Sequence, residues 1–328
     1  MKSTEQHPKI RVSVVIPVFN EEHVLPILLP RLIRVLETLT SSNASEGYEV
    51  VFVNDGSSDG SFEFLRKIAE TNASVVVVNL SRNFGHGPAV AAGLSMAQGR
   101  AVVLMDADLQ DPPELMPQLI NMWKTGFQVV NAQRRSRQER GIRGLLIRSF
   151  HLFFQFLSEY PIPFDSGVYC LMDRVVVDQL NRFPERHRFL PGLRSWVGFR
   201  TTKVEYDRDE RAAGCTKQSL WRLVNYSLDA IFSFSRKPLR LSFVAGLIIS
   251  AVFFLIAFTL TILRLLHIHV VAGFTASTVS IMFLGGVQLI GIGILGECLG
   301  RIYEEVKNRP LYIISDVLKS SSPIRQDK

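Results

Sequence analysis

The sequence predicts an α/β protein with a doubly wound, mostly parallel sheet, followed by interfacial helices and a two-helix transmembrane hairpin. Apolar runs of strand length alternate with helical patterns as far as about residue 132, which is typical of a parallel sheet covered by helices. Polar loops with acidic residues follow three of these runs. Two long stretches near the end of the chain carry no charged residue, and each is long enough to cross a bilayer.

The strands and helices of the α/β part are assigned from hydrophobic periodicity. Five apolar, β-branched runs predict strands at residues 11–18, 48–53, 75–80, 102–105 and 127–132. Helical periodicity covers about residues 24–39 and 62–69, and a segment rich in small residues predicts a further helix after the third strand. The alternation predicts that the strands run mostly parallel.

Asp106 and Asp108 directly follow the fourth predicted strand. Open α/β sheets bind ligands at the carboxyl ends of their strands, and two carboxylates on one short turn can hold a divalent cation and through it a diphosphate. A solvated acidic turn is the alternative, because carboxylates are mostly surface groups. An EF-hand calcium loop fits worse, since its sixth position would be Asp111 instead of Gly and its twelfth Pro117 instead of Glu.

The acidic loops after three strands favour a ligand or metal site over a solvated turn. Corresponding ends of parallel strands meet at one edge of the sheet, so these loops should converge. Glu22 and Asp59 are also explained as charges favoured by a helix dipole, and we assign neither to a ligand. The three acidic loops contain Glu21 and Glu22, Asp55 and Asp59, and Asp106 and Asp108.

Composition limits the partners and the compartment. The formal net charge of +7 favours an anionic partner, such as nucleic acid, a phospholipid surface or a phosphorylated substrate. The three cysteines are isolated, which argues against a disulfide framework or a zinc site and fits a reducing compartment. The polar N-terminus lacks the apolar stretch of a signal peptide, so the first part of the chain should stay in the cytosol.

A basic segment that includes Arg134 and Arg135 leads into an apolar, aromatic-rich stretch at about residues 142–160. This pattern predicts an interfacial helix on anionic lipid, with a buried helix and a solvated basic cap as the alternative. A nucleic-acid partner is not expected, because no aromatic residues interleave the arginines and no nucleic-acid motif accompanies them. A second amphipathic, aromatic-rich stretch at about 217–234 predicts another interfacial helix.

Two transmembrane helices are predicted at about residues 241–264 and 270–296. Basic residues flank the pair on both outer sides, so the positive-inside rule places both flanks in the cytosol. The predicted organisation is a cytosolic domain (1–235), a membrane hairpin (236–300) and a cytosolic C-terminal tail (301–328). The flanking basic residues are Arg236, Lys237, Arg240, Arg301, Lys307 and Arg309.

Five segments together resemble the family 2 glycosyltransferases of the nucleotide-diphospho-sugar (GT-A) fold. Within that family the chain is most similar to the polyprenyl-phosphate glycosyltransferases, the dolichyl-phosphate mannose synthase and bactoprenol glucosyltransferase group. The resemblance covers nearly the whole chain and is more specific for fold and reaction than for the sugar. The segments are VSVVIPVFNEE, VFVNDGSSDGS, NLSRNFGHG, MDADLQDPPE and GCTK.

The resemblance implies roles for individual residues. Asp106 and Asp108 would form the DxD pair that holds Mg²⁺ or Mn²⁺ against the donor diphosphate, with Gln110 beside the sugar. Asp55 would accept a hydrogen bond from the base. The implied nucleotide-sugar site consists of Pro17, Asn20, Glu21, Asp55, Arg82, Gly85 and Asp106.

The resemblance also implies a basic acceptor site. Arg211, Thr216 and Lys217 match an R…G-x-[ST]-K element, although Gln218 stands where an aromatic residue is common. Lys217 would be catalytic together with Asp106, Asp108 and Gln110, because positive groups there can meet the donor diphosphate and the lipid phosphate. The implied lipid-phosphate contacts are Arg134, Arg135, Arg211 and Lys217.

Val168 departs from the family pattern, because some members carry a carboxylate at this position. A general base here is therefore not expected. Since the second pKa of a phosphate monoester is about 6, the acceptor phosphate is already largely anionic at neutral pH and can attack without a base.

The implied activity is inverting, metal-dependent transfer of a hexose to polyprenyl (undecaprenyl) phosphate on the cytosolic leaflet of a bacterial plasma membrane. UDP-glucose is the expected donor; UDP-N-acetylglucosamine, UDP-galactose and GDP-mannose are alternatives. A non-catalytic membrane scaffold of the same fold is the alternative from another class. A processive polysaccharide synthase would need more spans and a QxxRW-type element. The sequence allows a homo-oligomer.

Overall fold

The computed structural model describes residues 10–41, 47–134, 166–186, 188–206, 237–266 and 273–320. They fall into two units. The first contains the described residues up to 206 together with 310–320, and the second contains residues 237–266 and 273–309. Both predicted interfacial helices lie outside the described residues.

The first unit alternates strands and helices over most of its length. Its helices are α1 (Leu25–Ser41), α2 (Ser61–Thr71), α3 (His86–Met96), α4 (Met116–Lys124), α5 (Arg174–Arg182) and α6 (Leu190–Trp196), with a 3₁₀ turn at Pro113–Leu115. Its strands are β1 (Ile10–Val18), β2 (Gly47–Asn54), β3 (Val75–Leu80), β4 (Ala101–Leu104), β5 (Val129–Arg134), β6 (Ser166–Asp173), β7 (Thr201–Tyr206) and β8 (Ile314–Lys319).

The eight strands form one sheet in the order β7-β5-β6-β4-β1-β2-β3-β8. Strands β4, β1, β2 and β3 run parallel to one another, as do β5 and β7. Strand β6 is antiparallel to both β4 and β5, and β8 is antiparallel to β3. The predicted mostly parallel α/β sheet is confirmed, and the five strands predicted from periodicity are β1 to β5.

Three strands were not predicted. Strand β8 lies within residues 301–328, which the sequence predicts as a C-terminal tail. It pairs with β3 at the edge of the sheet. It is short and mostly exposed, which leaves little hydrophobic pattern to detect. Its partner β3 is distant in sequence: Asn79 donates a hydrogen bond to Asp316, 237 residues later.

The core lies on both faces of the central strands, which explains their continuous apolar sequences. Side chains of β1, β2 and β4 such as Ile16, Phe52 and Val103 are fully buried. Helix α3 approaches the sheet closely: a Cβ on Gly93 would lie 2.3 Å from Val15 Cγ1. The absence of a side chain at Gly93 therefore lets α3 pack directly against β1 and β2.

The second unit contains α7 (Lys237–Leu265) and α8 (Phe274–Val306). Many large apolar side chains of both helices are exposed; Phe254 and Leu289 are 74% and 70% exposed. Among the described residues, one helix, Phe283–Val306, is long and apolar enough to cross a membrane by length and composition, and Ser242–Ile256 is a shorter apolar helix. This supports one of the two predicted spans, and the hairpin stays a prediction.

Candidate active site

A cavity of about 690 Å³ opens at the carboxyl edge of β1, β2 and β4, beside the N-terminus of α3. Glu21, Asp55, Asp106 and Asp108 all line it, so the three acidic loops converge at one edge of the sheet, as predicted from the corresponding ends of parallel strands. Six of the predicted site residues line it: Pro17, Glu21, Asp55, Gly85, Asp106 and Asp108. The other lining residues are Val18, Phe19, Asn83, His86, Ala89 and Ala107.

Asp55 fixes one wall of the cavity. Its side chain is buried, and its two carboxylate oxygens accept hydrogen bonds from the backbone amides of Phe84 (2.8 Å) and Gly85 (2.9 Å). Burial raises the pKa of Asp55, and these two hydrogen bonds oppose that rise without cancelling it. The carboxylate therefore holds the loop between β3 and α3 against the end of β2.

His86, the first residue of α3, contacts the acidic pair. Its Nε2 lies 2.9 Å from Oδ1 of Asp106. Burial alone would lower the pKa of His86, but the hydrogen bond and charge of Asp106, with the charge of Asp55, raise it above the ordinary value. The imidazole thus sets the orientation of one carboxylate of the pair.

The loop after β4 has an unusual backbone. Oδ1 of Asp108 accepts a hydrogen bond from the amide of Gln110 (3.1 Å), and Leu109 between them has a φ of 61°. A leucine in the left-handed region is strained and persists only where its surroundings hold it there. Oε1 of Gln110 is buried without a hydrogen-bond partner in the structure. Gln110 is not among the residues that line the cavity, so its predicted contact with the sugar stays a prediction.

Asp106 and Asp108 fit a divalent cation shared with a substrate. Both line the cavity and offer hard carboxylate oxygens. Within the described part of the chain, no group of three or more His, Cys, Asp or Glu side chains could hold a metal by itself. Two carboxylates are nevertheless enough for Mg²⁺ that is also bound by substrate phosphates and water.

Asn20, Glu22 and Asp59 join the loop after β1 to the loop after β2. Asn20 Oδ1 accepts from the Ser58 amide (2.8 Å), Glu22 Oε2 from the Gly60 amide (2.6 Å), and Asp59 Oδ2 from the Glu22 amide (3.1 Å). Glu22 and Asp59 thus bind backbone amides near the start of α2. This agrees with leaving them out of the predicted ligand contacts.

Two predicted nucleotide contacts lie outside the cavity wall. Oδ1 of Asn20 accepts the hydrogen bond from the Ser58 amide. The guanidinium of Arg82 lies 4.1 Å from the ring centroid of Phe84 and donates to the carbonyl of Asn83. The structure thus gives both side chains local partners, and their contact with a nucleotide stays a prediction.

The predicted lipid-phosphate site is mostly outside the described residues, which include neither Arg135, Arg211 nor Lys217. Arg134 ends β5. Strand β5 runs parallel to β4, because both are antiparallel to β6. The end of β5 is therefore at the same edge of the sheet as Asp106.

Sequence reasoning did not assign Phe19 and His86 to the site, although both lie within segments that carried the resemblance. Phe19 lines the cavity and is 47% exposed, so it offers an apolar ring at its wall. An aromatic residue beside Asn20, and a histidine one residue after Gly85, were the available signals. Neither signal shows which way the side chain points.

Known proteins match the chain along most of its length. The family model for glycosyl transferase family 2 matches residues 13–180. Glycosyltransferase sll0501 of Synechocystis sp. is 46% identical over 94% of this chain and 96% of its own length. Glycosyltransferase YkcC of Bacillus subtilis is 42% identical over 93% of each. The SfII prophage-derived bactoprenol glucosyl transferase of Shigella flexneri is 42% identical over 93% of this chain and 97% of its own.

Proposed function

The chain belongs to glycosyl transferase family 2, and from that premise we propose that it transfers glucose from UDP-glucose to polyprenyl phosphate at the cytosolic face of a bacterial plasma membrane. The observation that carries this proposal is one cavity lined by Asp55, Asp106 and Asp108 at the carboxyl edge of the sheet. Its volume of about 690 Å³ suits a nucleotide sugar. A relative named as a bactoprenol glucosyl transferase supports the acceptor and the sugar.

The donor nucleotide binds at the ends of β1 and β2. Asp55 uses each carboxylate oxygen for one backbone amide, and each oxygen has a further lone pair for an imide N–H of uracil. Phe19 supplies a ring face against which a base can stack. Together these contacts favour a uridine nucleotide.

Asp106 and Asp108 would hold Mg²⁺ or Mn²⁺, and the cation would supply positive charge that offsets the charge of the departing diphosphate. His86 keeps Asp106 in place through the 2.9 Å contact with Oδ1. Oε1 of Gln110 is buried without a hydrogen-bond partner in the structure, and we assign it as an acceptor for a hydroxyl of the sugar. These residues bind and orient the donor so that its anomeric carbon faces the acceptor.

Transfer is a single displacement. An oxygen of the polyprenyl phosphate forms the new bond to the anomeric carbon while the bond from that carbon to the diphosphate breaks, and UDP leaves with the electron pair. Attack from the opposite face inverts the configuration. The acceptor phosphate is already ionised, which agrees with Val168 being unable to act as a base. Arg211 and Lys217 neutralise the two phosphate groups.

The second unit supplies the membrane anchor of this proposal. The exposed apolar side chains of α7 and α8 are suited to contact with lipid. Lys237 at the start of α7, and Lys307 and Arg309 after α8, favour a cytosolic position for these two helix ends. A polyprenyl chain stays in the bilayer, so its phosphate is presented at the surface where an anchored cytosolic domain can use it. We infer that this is an integral membrane protein.

The test is transfer of radiolabelled glucose from UDP-glucose to undecaprenyl phosphate by the purified full-length protein with Mg²⁺, beside an EDTA control. We expect lipid-soluble label that is lost with EDTA. Label from only UDP-N-acetylglucosamine, UDP-galactose or GDP-mannose would support the proposed reaction and show that the donor is not UDP-glucose. Absence of label from every donor would contradict the proposal and favour the non-catalytic scaffold.

A further inference from the structure

A buried tyrosine holds the loop that follows the acidic pair. Tyr206, the last residue of β7, donates a hydrogen bond from its hydroxyl to Oδ1 of Asp111 at 2.8 Å. Both side chains are buried, with 7% and 2% of their surfaces exposed. Hydrogen bonds to buried carboxylates are strong and directional, so this contact restrains the backbone at Asp111.

A second tyrosine restrains the next residue of the same loop. Tyr169 in β6 donates from its hydroxyl to the carbonyl of Pro112 at 2.9 Å. The rings of Tyr169 and Tyr206 pack edge to face, with centroids 6.1 Å apart and planes at 82°. Two strands outside the nucleotide-binding half of the sheet therefore contact adjacent residues of the loop through one aromatic pair.

The backbone that these tyrosines restrain is strained close to the acidic pair. Leu109, with a φ of 61°, lies between Asp108 and Gln110 and only two residues before Asp111. Such a conformation persists only where neighbouring contacts determine it, since a leucine relaxes readily to negative φ. The hydroxyls of Tyr206 and Tyr169 supply these contacts on the C-terminal side of the strained residue.

We propose that Tyr206 and Tyr169 are positioning residues, which hold the Asp108–Pro112 loop so that Asp108 faces the cavity. Neither tyrosine lines the cavity, so neither contacts the substrate. Their removal lowers the affinity for the divalent cation and donor, because Asp108 then samples other orientations. This inference rests on the proposed role of Asp108 in donor binding, and not on the identity of the acceptor.

The test compares Mn²⁺ binding in the presence of UDP, measured by electron paramagnetic resonance, among full-length variants. Tyr206→Phe and Tyr169→Phe each remove one hydroxyl and keep the ring. Tyr48→Phe is the matched control, because Tyr48 lies near the start of β2, whereas Asp55 directly follows the end of that strand. Circular dichroism establishes that each variant is folded.

We expect Tyr206→Phe to raise the Kd for Mn²⁺ by roughly tenfold and Tyr169→Phe to raise it by less, with Tyr48→Phe unchanged. Asp111→Asn keeps an oxygen for the Tyr206 hydroxyl and should bind Mn²⁺ more tightly than Asp111→Ala. A merely structural role would lower the melting temperature and leave the Kd of the folded fraction unchanged.

Wild-type affinity in folded Tyr206→Phe and Tyr169→Phe would overturn the inference. So would a wild-type protein that binds no Mn²⁺ with UDP. If Tyr206→Phe does not fold, the Kd for Mn²⁺ of Tyr169→Phe is compared with that of Tyr48→Phe, and equal values would overturn the inference. Failure of the proposed function is distinguishable, because it would remove sugar transfer to the lipid while the binding differences among variants remain.

Discussion

Nε2 of His86 lies 2.9 Å from Oδ1 of Asp106, and this contact joins the first residue of α3 to the acidic pair after β4. The same helix begins directly after Gly85, whose amide is bound by Asp55. One short segment therefore connects the nucleotide wall of the cavity to the carboxylates proposed to bind the cation.

Substitution of His86 should weaken donor binding according to whether the new side chain can donate a hydrogen bond. Glutamine can place an N–H near Oδ1 of Asp106, whereas phenylalanine cannot. We expect His86→Phe to lower the affinity for UDP in the presence of Mn²⁺ by about tenfold and His86→Gln by less. Isothermal titration of both variants measures this, and equal affinities for wild type and His86→Phe would contradict the role given to the contact.

Gly56 should be required for the packing of two loops at the cavity. Its φ is 63°, and a Cβ there would lie 2.5 Å from the backbone carbon of Arg82 and the backbone nitrogen of Asn83. We expect Gly56→Ala to lower the free energy of unfolding by about 2 kcal/mol, because both the conformation and the space exclude a side chain. Urea unfolding followed by circular dichroism gives this value.

Gly47→Ala is the control for Gly56→Ala. A Cβ on Gly47 would meet no atom within 4 Å. Its substitution should change the free energy of unfolding by less than about 0.5 kcal/mol. Equal effects of the two substitutions would show that the close approach at Gly56 does not matter for stability.

Replacing Asp55 should loosen the loop between β3 and α3. Asparagine keeps one acceptor for the amides of Phe84 and Gly85 and turns an N–H towards the other, which leaves a buried donor unpaired. We expect Asp55→Asn to cost about 2 kcal/mol of stability and to lower UDP affinity at least about tenfold. Thermal unfolding measures the change in stability, and nucleotide titration measures the change in UDP affinity. An unchanged UDP affinity would contradict the proposed contact between Asp55 and the uracil base.

Asp59 should contribute a pH-dependent part of the stability. Burial raises its pKa, but hydrogen bonds from Ser61 and from the amide of Glu22 outweigh burial and lower it below the ordinary value. Its stabilising contribution is therefore present above the unfolded pKa of about 4 and is lost as the pH falls through the lower folded pKa. We expect the difference in melting temperature between wild type and Asp59→Asn to shrink between pH 7 and pH 3.

The central sheet could be predicted from the sequence because its pattern is local. Strands β1 to β4 are buried on both faces by helices, so each is a continuous apolar run. Strand β8 has no such pattern, and its pairing with β3 depends on residues more than 200 positions earlier. The edges of the sheet are therefore harder to predict than its centre.

The site was predictable as a set of loops, but not as a set of side-chain directions. The shared carboxyl edge of parallel strands brings Glu21, Asp55 and Asp106 to one cavity, whereas the partner of each side chain depends on loop conformation. Arg82 packs on Phe84, and His86 contacts Asp106. The role of Lys217 stays a prediction, because it lies outside the described residues.

The most direct test of the account is the rate of lipid-linked sugar formation by wild type and Asp108→Asn in one assay with UDP-glucose, undecaprenyl phosphate and Mg²⁺. Glu63→Gln makes the same carboxylate-to-amide change on the exposed face of α2, where Glu63 pairs with Arg66, and serves as the control. We predict transfer by wild type and Glu63→Gln, and only background label from folded Asp108→Asn. Wild-type turnover by Asp108→Asn would contradict the assignment of this cavity as the catalytic site.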